Sequence, residues 1–252
     1  MLREASRIVT AVLRKVARMV RPGITTAQLD EETETLIRKM GAIPAFKGYM
    51  NYPCTICTSI DEQVVHGIPS DRQLAEGEII SIDVGTNYHG YFGDAAVTLA
   101  VGDVTEEKRS LMQVTQRALG LGIQAATAGN HVSDISKAVQ TEVEQNGFSV
   151  VRQFVGHGIG TSPHEDPQVP NFVSGSIGPQ LRPGMVIAIE PMVSAGDGEV
   201  EILEDYWTAV TVDRKPAAHF EHTIAISEDG KPPEILTLIA SEETACGSLL
   251  DD

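Results

Sequence analysis

The chain has 252 residues, with 19 Lys+Arg against 35 Asp+Glu and a formal charge of −16. That balance argues against a general nucleic-acid binder, because phosphate contacts need clustered cations. No apolar run approaches the length of a membrane helix, about 20 residues, and three cysteines cannot staple a chain this long, so a reducing cytoplasm is the expected home.

The first segment is locally basic (Arg3, Arg7, Arg14, Lys15, Arg18, Arg21), yet Ile8, Val12, Val16 and Met19 recur at helical spacing. It reads as an amphipathic helix over 2–20 with a solvated basic face, not as a targeting segment. After the Pro22-Gly23 break a second helix is expected over 26–40, with Thr26 as N-cap and Gly41 beyond its end. Strand texture follows from Tyr52 to Val101: Glu78 to Asp83 forms a strand, Gly85 to Gly90 a turn-rich stretch, and Asp94 to Val101 the return strand. Helices resume at 105–127 and 132–146, then strands and loops continue to the end. No linker or low-complexity segment divides the chain.

That order repeats. Gly23 and Gly129 stand 106 residues apart, as do Gly41 and Gly147, each pair marking the same helix break and helix end. Glu76 to Asp83 (EGEIISID) matches Pro183 to Glu190 (PGMVIAIE) at an offset of 107. The pattern indicates one α+β domain, 1–252, built from two pseudo-symmetric halves of about 1–104 and 105–252.

Both matched strands end in a carboxylate, Asp83 and Glu190. Alternation sets Ile80 and Ile82 on one face of the first strand and Ser81 and Asp83 on the other. A lone Asp closing a strand is commonly a turn former, but each half carries a second acid, Asp94 and Glu221, near the adjacent strand's end. Four semi-buried carboxylates repel one another unless a cation compensates them, and Lys and Arg are scarce in these segments. A divalent metal is the natural counter-charge. Carboxylate and imidazole donors suit Mn, Fe, Co or Zn, and two ions can share bridging carboxylates. Nitrogen is offered by His157, which the Gly156-His-Gly-Ile-Gly160 loop leaves exposed, with His164 following. Competing motifs fail. Neither His164-Glu-Asp-Pro-Gln168 nor His219-Phe-Glu-His222 has the His-Glu-x-x-His spacing. There is no phosphate-binding Gly-rich loop and no Gly-x-Ser-x-Gly. Cys54 and Cys57 form a lone CxxC that Cys246 cannot complete as a zinc site, so both are expected to be partly buried or to line a pocket.

Taken together, Asp83, Asp94, the His157 loop, His164-Glu-Asp-Pro, Ile189-Glu-Pro191, Phe220-Glu-His222 and His66-Gly-Ile-Pro69 resemble type I methionine aminopeptidases over almost the whole chain. The resemblance implies a pita-bread fold, a central antiparallel sheet flanked by helices. It implies two divalent ions per subunit: Asp83 chelating one, His157 and Glu190 holding the other, Asp94 and Glu221 bridging both. It makes Glu190 the general base and gives His66 and His164 catalytic contacts to the substrate, with Tyr49, Tyr52, Cys57 and Trp207 around a methionine side chain. The implied partners are N-terminal Met peptides and nascent chains near the ribosome, met by a monomer with no membrane or stable nucleic-acid attachment. Two departures touch fine detail: Pro163 precedes His164 where relatives place a bulky residue, and Asp61 stands where many have Asn. The rival readings are a proline-specific peptidase of the same catalytic domain and a metal-free binding module, the latter opposed by five filled ligand positions.

Overall fold

The computed structural model describes residues 1–228 and 230–238; Cys246 lies outside them. Among the described residues four α-helices form: α1 (Leu2–Ala17), α2 (Thr26–Lys39), α3 (Glu106–Ala125) and α4 (Val132–Gln145). The strands in chain order are β1 (Ile43–Pro44), β2 (Ile56–Ile60), β3 (Gln63–Val65), β4 (Ile79–Tyr88), β5 (Tyr91–Ala100), β6 (Ser149–Val150), β7 (Gly156–Gly158) and β8 (Glu165–Val169). They continue with β9 (Val186–Ile189), β10 (Met192–Ser194), β11 (Val200–Ile202), β12 (Ala209–Thr211), β13 (Ala217–His219), β14 (Glu221–Ala225) and β15 (Glu234–Ile235).

The principal sheet runs β1-β4-β5-β14-β9-β7-β8, with β2 also on β4 and β15 also on β14; all its pairings are antiparallel. Two three-stranded sheets, β13-β10-β6 and β11-β12-β3, complete the β structure among the described residues. The expected α+β pita-bread architecture is what forms, with helix pairs α1–α2 and α3–α4 packed against an antiparallel sheet.

One face of the sheet carries the helices. Helix α1 buries Ala5, Ile8, Val9, Val12, Leu13 and Val16 against β4 and β5, the apolar stripe read from the sequence. Each such fully buried Ile or Leu stabilises the fold by about 2 kcal/mol. The approach is close because Gly93 has no side chain: a Cβ there would lie 2.7 Å from the Ser6 nitrogen. The helix ends at Ala17, three residues earlier than the spacing suggested. The second helix is capped by Thr25, not Thr26: its hydroxyl accepts from the Gln28 amide at 3.1 Å, and the Gln28 side chain accepts from the Thr25 amide at 3.0 Å. Thr26 instead donates to the Ser70 carbonyl at 3.0 Å, tying the helix to the loop before β4. Gly41 takes the expected left-handed conformation past the helix end, at φ +79°. From α2, Asp30 accepts from the amides of Thr55 (2.8 Å) and Ile56 (3.0 Å) and so fixes the start of β2.

The first strand pair is longer than expected. Strand β4 runs to Tyr88, past the Gly85 that reads as a turn signal, and turns at His89-Gly90, where φ is +52° and +83°. That is the left-handed pair a two-residue hairpin requires. The return strand starts at Tyr91, so Asp94 lies inside it and not at its beginning.

Candidate metal centre and its pocket

The face opposite the helices gathers the acids. Five neighbouring strands each deliver a side chain: β4 Asp83, β5 Asp94, β14 Glu221, β9 Glu190 immediately past its end, and β7 His157. Register explains the convergence. Ala96 on β5 pairs with Asp83 on one side and Glu221 on the other, and Asp94, two residues before Ala96, shares its face. The small Ala96 leaves the space between the flanking carboxylates open. Asp94, His157 and Glu221 offer ligand atoms that all lie within 4.8 Å of one another. His157 Nε2 stands 3.4 Å from Glu190 Oε1.

His157 is buried, contrary to the exposed loop position expected for it: it is 8 % exposed and sits on β7 between β8 and β9. The flanking glycines make that squeeze possible, since a Cβ on Gly156 would meet the Ala188 carbonyl oxygen at 2.4 Å. His157 Nδ1 is 2.9 Å from the Gly158 carbonyl oxygen. A carbonyl only accepts, so Nδ1 carries the proton and Nε2 presents its lone pair to the acids, the arrangement of a metal-binding imidazole.

The electrostatics match the need for cations. Burial pushes the Asp94, Glu190 and Glu221 carboxyls well above the ordinary carboxylate range, and the neighbouring acids push them further. Asp83 rises to about 7, again through burial. Among the described residues no Lys or Arg forms an ion pair with any of the four. Asp83 Oδ1, Asp94 Oδ1 and Glu221 Oε1 are shielded from solvent without a hydrogen-bond partner. Orphaned carboxylate oxygens facing one another beside a bare imidazole nitrogen fit divalent metal ions.

The cluster floors a cavity of about 400 Å³, and all eleven residues singled out from the sequence line it: Tyr49, Tyr52, Cys57, His66, Asp83, Asp94, His157, His164, Glu190, Trp207 and Glu221. One wall is apolar. Phe46, Tyr52 and Cys57 pack together with Cys54, Ile68 and Trp207 against them, and Tyr52 meets Trp207 edge-on at 5.0 Å. Cys54 is partly buried and Cys57 buried in that wall, as expected of both. Burial raises the Cys57 thiol, and Asp83 raises it further, so it stays a neutral, polarisable wall group. The other side carries imidazoles. His66 sits at φ +61°, with Phe154 and Trp207 edge-on at 5.2 and 6.2 Å. His164 lies at the mouth, its Nδ1 3.2 Å from the Tyr49 hydroxyl and its ring 4.4 Å from that of His157. Burial lowers His66 and His157 to about 4 and depresses His164 as well, so all three are neutral near pH 7.

The cavity is also lined by residues the sequence did not point to, among them Phe46, Met50, Phe154 and His219. Only His219 carried a usable signal. It precedes Glu221 by two residues, and period-two alternation places both on the cavity face. The spacing of His219-Phe-Glu-His222 excludes a His-Glu-x-x-His zinc motif and nothing more.

The fold and cavity have counterparts in known proteins. Residues 1–228 match the model of metallopeptidase family M24. The chain is 51 % identical over 229 residues to methionine aminopeptidase 1 of Bacillus subtilis, covering 91 % of this chain and 92 % of that one. The crystal structure of a methionine aminopeptidase from Thermotoga maritima superposes with a TM-score of 0.91 at 45 % identity, covering 94 % of each chain. A prolidase from Pyrococcus furiosus, 22 % identical at a TM-score of 0.74 over 94 % of this chain and 63 % of its own, shares the fold. The chain belongs to metallopeptidase family M24 and stands with its methionine aminopeptidases.

Proposed function

We propose that this chain is a dinuclear methionine aminopeptidase that removes the first residue of new polypeptides when the second is small. The observation that carries the reading is the acid cluster with its bare imidazole nitrogen at the floor of an apolar, sulfur-containing pocket. In this reading Asp83 would hold one ion, His157 and Glu190 the other, and Asp94 and Glu221 would serve both; Mn, Fe, Co and Zn all suit these donors. Ions held there would supply Lewis acidity, which lowers the pKa of water and polarises a scissile carbonyl.

The chain's own groups do the rest. Glu190 accepts the proton of the attacking water, and its backbone carbonyl is held by the Asn171 side-chain amide at 2.9 Å. His164 has its Nδ1 engaged by Tyr49, which leaves Nε2 to donate to the developing oxyanion. His66, held by Phe154 and Trp207, orients the peptide nitrogen beyond the cleaved bond. Phe46, Tyr52, Cys57 and Trp207 surround the methionine thioether.

The enzyme acts as one catalytic unit spanning the chain, a monomer working on nascent chains in the cytoplasm near the ribosome, without stable nucleic-acid binding. Free thiols at Cys54 and Cys57 fit that compartment, and no described helix is long and apolar enough to cross a membrane. Met-Ala-Ser incubated with metal-loaded enzyme tests the activity. Release of free methionine that chelation stops supports the reading; cleavage confined to X-Pro substrates assigns the chain to the proline-specific group instead.

A further inference from the structure

Glu190 stands between two imidazoles. His157 Nε2 approaches Oε1 at 3.4 Å, and on the other side His219 Nε2 lies 3.8 Å from Oε2. The reading above uses the first and gives the second nothing to do. Yet His219 is only 2 % exposed, and its Nε2 is shut off from solvent without a hydrogen-bond partner. Leaving a buried polar nitrogen unsatisfied is destabilising. An apolar side chain would avoid that cost.

The ring is also kept from withdrawing. The Thr98 hydroxyl accepts from the His219 amide at 2.9 Å and donates to its carbonyl at 2.8 Å. Ser81 Oγ, 2.8 Å from that hydroxyl, braces it in turn. Across the sheet His219 pairs with Met192, two residues beyond Glu190 on the same segment. The backbone under His219 and the backbone under Glu190 are therefore locked side by side. With divalent cations beside it the Glu190 carboxyl would be ionised and could only accept, so the nitrogen facing it would carry the proton. Closing 3.8 Å to hydrogen-bond distance takes about 1 Å of carboxylate movement.

We propose that His219 is a positioning residue for Glu190, donating its Nε2 proton to Oε2 so that Oε1 is the oxygen turned to the attacking water. The inference rests on Glu190 acting as the base. Without this donor the carboxylate turns freely about its last torsion, and misplacing a reacting group by about 1 Å costs on the order of 100-fold in rate.

The test compares His219→Gln, which keeps an amide donor, with His219→Leu, which removes it, in the full manganese-loaded enzyme acting on Met-Ala-Ser. His219→Leu should lower kcat about 10- to 100-fold with little change in KM, and His219→Gln should recover most of the loss. Calorimetry with manganese alone should show wild-type binding in both variants. Wild-type kcat in His219→Leu, equal failure of both variants, or loss of one manganese equivalent, which would make His219 a ligand, each overturns the proposal. Nitrogen-15 spectra of the unmutated protein loaded with diamagnetic zinc give a readout independent of activity and of variant folding. They should show His219 as the Nε2-protonated tautomer, with a resonance that moves in Glu190→Ala; the Nδ1-protonated tautomer overturns the proposal. If the wild type releases no methionine, the functional reading fails while the spectrum still decides the contact.

Discussion

Stripping the metal should make stability fall as pH rises, and the window can be chosen so that the acid cluster dominates. Asp94, Glu190 and Glu221 are held above the ordinary carboxylate range by burial and by one another, and burial takes Asp83 to about 7. A raised carboxyl contributes fully below its unfolded pKa and loses that contribution as pH climbs through its folded pKa. The buried histidines act in the opposite sense. Burial lowers His66 and His157 to about 4 and His219 to about 3, so stability rises with pH until their unfolded value of 6.5 is passed. Arg3 holds Glu234 low, and Lys47 with Arg38 holds Glu34 low, which confines their effect to still lower pH. Between about pH 6.5 and 8.5 the cluster dominates, titrating as a unit. Each proton the folded cluster holds and the unfolded chain lacks costs about 1.4 kcal/mol per pH unit, so even one such proton removes about 3 kcal/mol across the window. Urea unfolding of chelated protein, followed by circular dichroism at pH 6.5, 7.5 and 8.5, should show a falling midpoint. Saturating manganese should flatten the trend and raise the midpoint throughout. A chelated protein equally stable at both ends, or more stable at pH 8.5, would refute the account of the cluster.

Further outcomes follow from the same geometry. Asp94→Asn and Glu221→Gln should each lower affinity for both ions and reduce activity by more than about 100-fold, checked by calorimetry with manganese beside methionine release. His164→Ala should lower kcat roughly 100- to 1000-fold while metal content stays at wild type; loss of an ion would turn it from substrate contact to ligand. Peptides Met-X-Ser-Lys should be cut readily for X = Gly, Ala or Ser and about 100-fold more slowly for X = Lys, Glu or Leu, because a long second side chain displaces the carbonyl beside His66 and His164. Equal rates for Ala and Lys would sink that argument. Gly93→Ala would drive a methyl into the backbone at Ser6, and should cost about 1–3 kcal/mol in chemical unfolding.

Much of the site was legible because chemistry and repetition coincide in the chain. Two copies of one strand motif end in Asp83 and Glu190, and alternation alone put Asp83 on the face away from Ile80 and Ile82. What was hidden depended on partners distant in sequence. Gly85 reads as a turn signal, yet it lies mid-strand because the Phe46 ring rests against it; a Cβ there would come within 2.5 Å of Cε1. Misreading that glycine hid both the length of β4 and the place of Phe46 in the pocket wall. The glycines around His157 are likewise marks of close strand packing, which is why the imidazole is buried and not displayed on a loop. Thr25 and Thr26 are chemically equivalent as caps, and only the contact of Thr26 with the Ser70 carbonyl separates their roles.

The central claim is that the buried acids and His157 form a two-ion centre that drives release of N-terminal methionine. Titrating chelated enzyme with manganese, while recording both the heat of binding and methionine released from Met-Ala-Ser, tests it most directly. The account predicts no release before metal is added, activity that rises with occupancy, and binding that saturates at two ions per chain. Full activity in the chelated enzyme, or saturation without any methionine release, would contradict it.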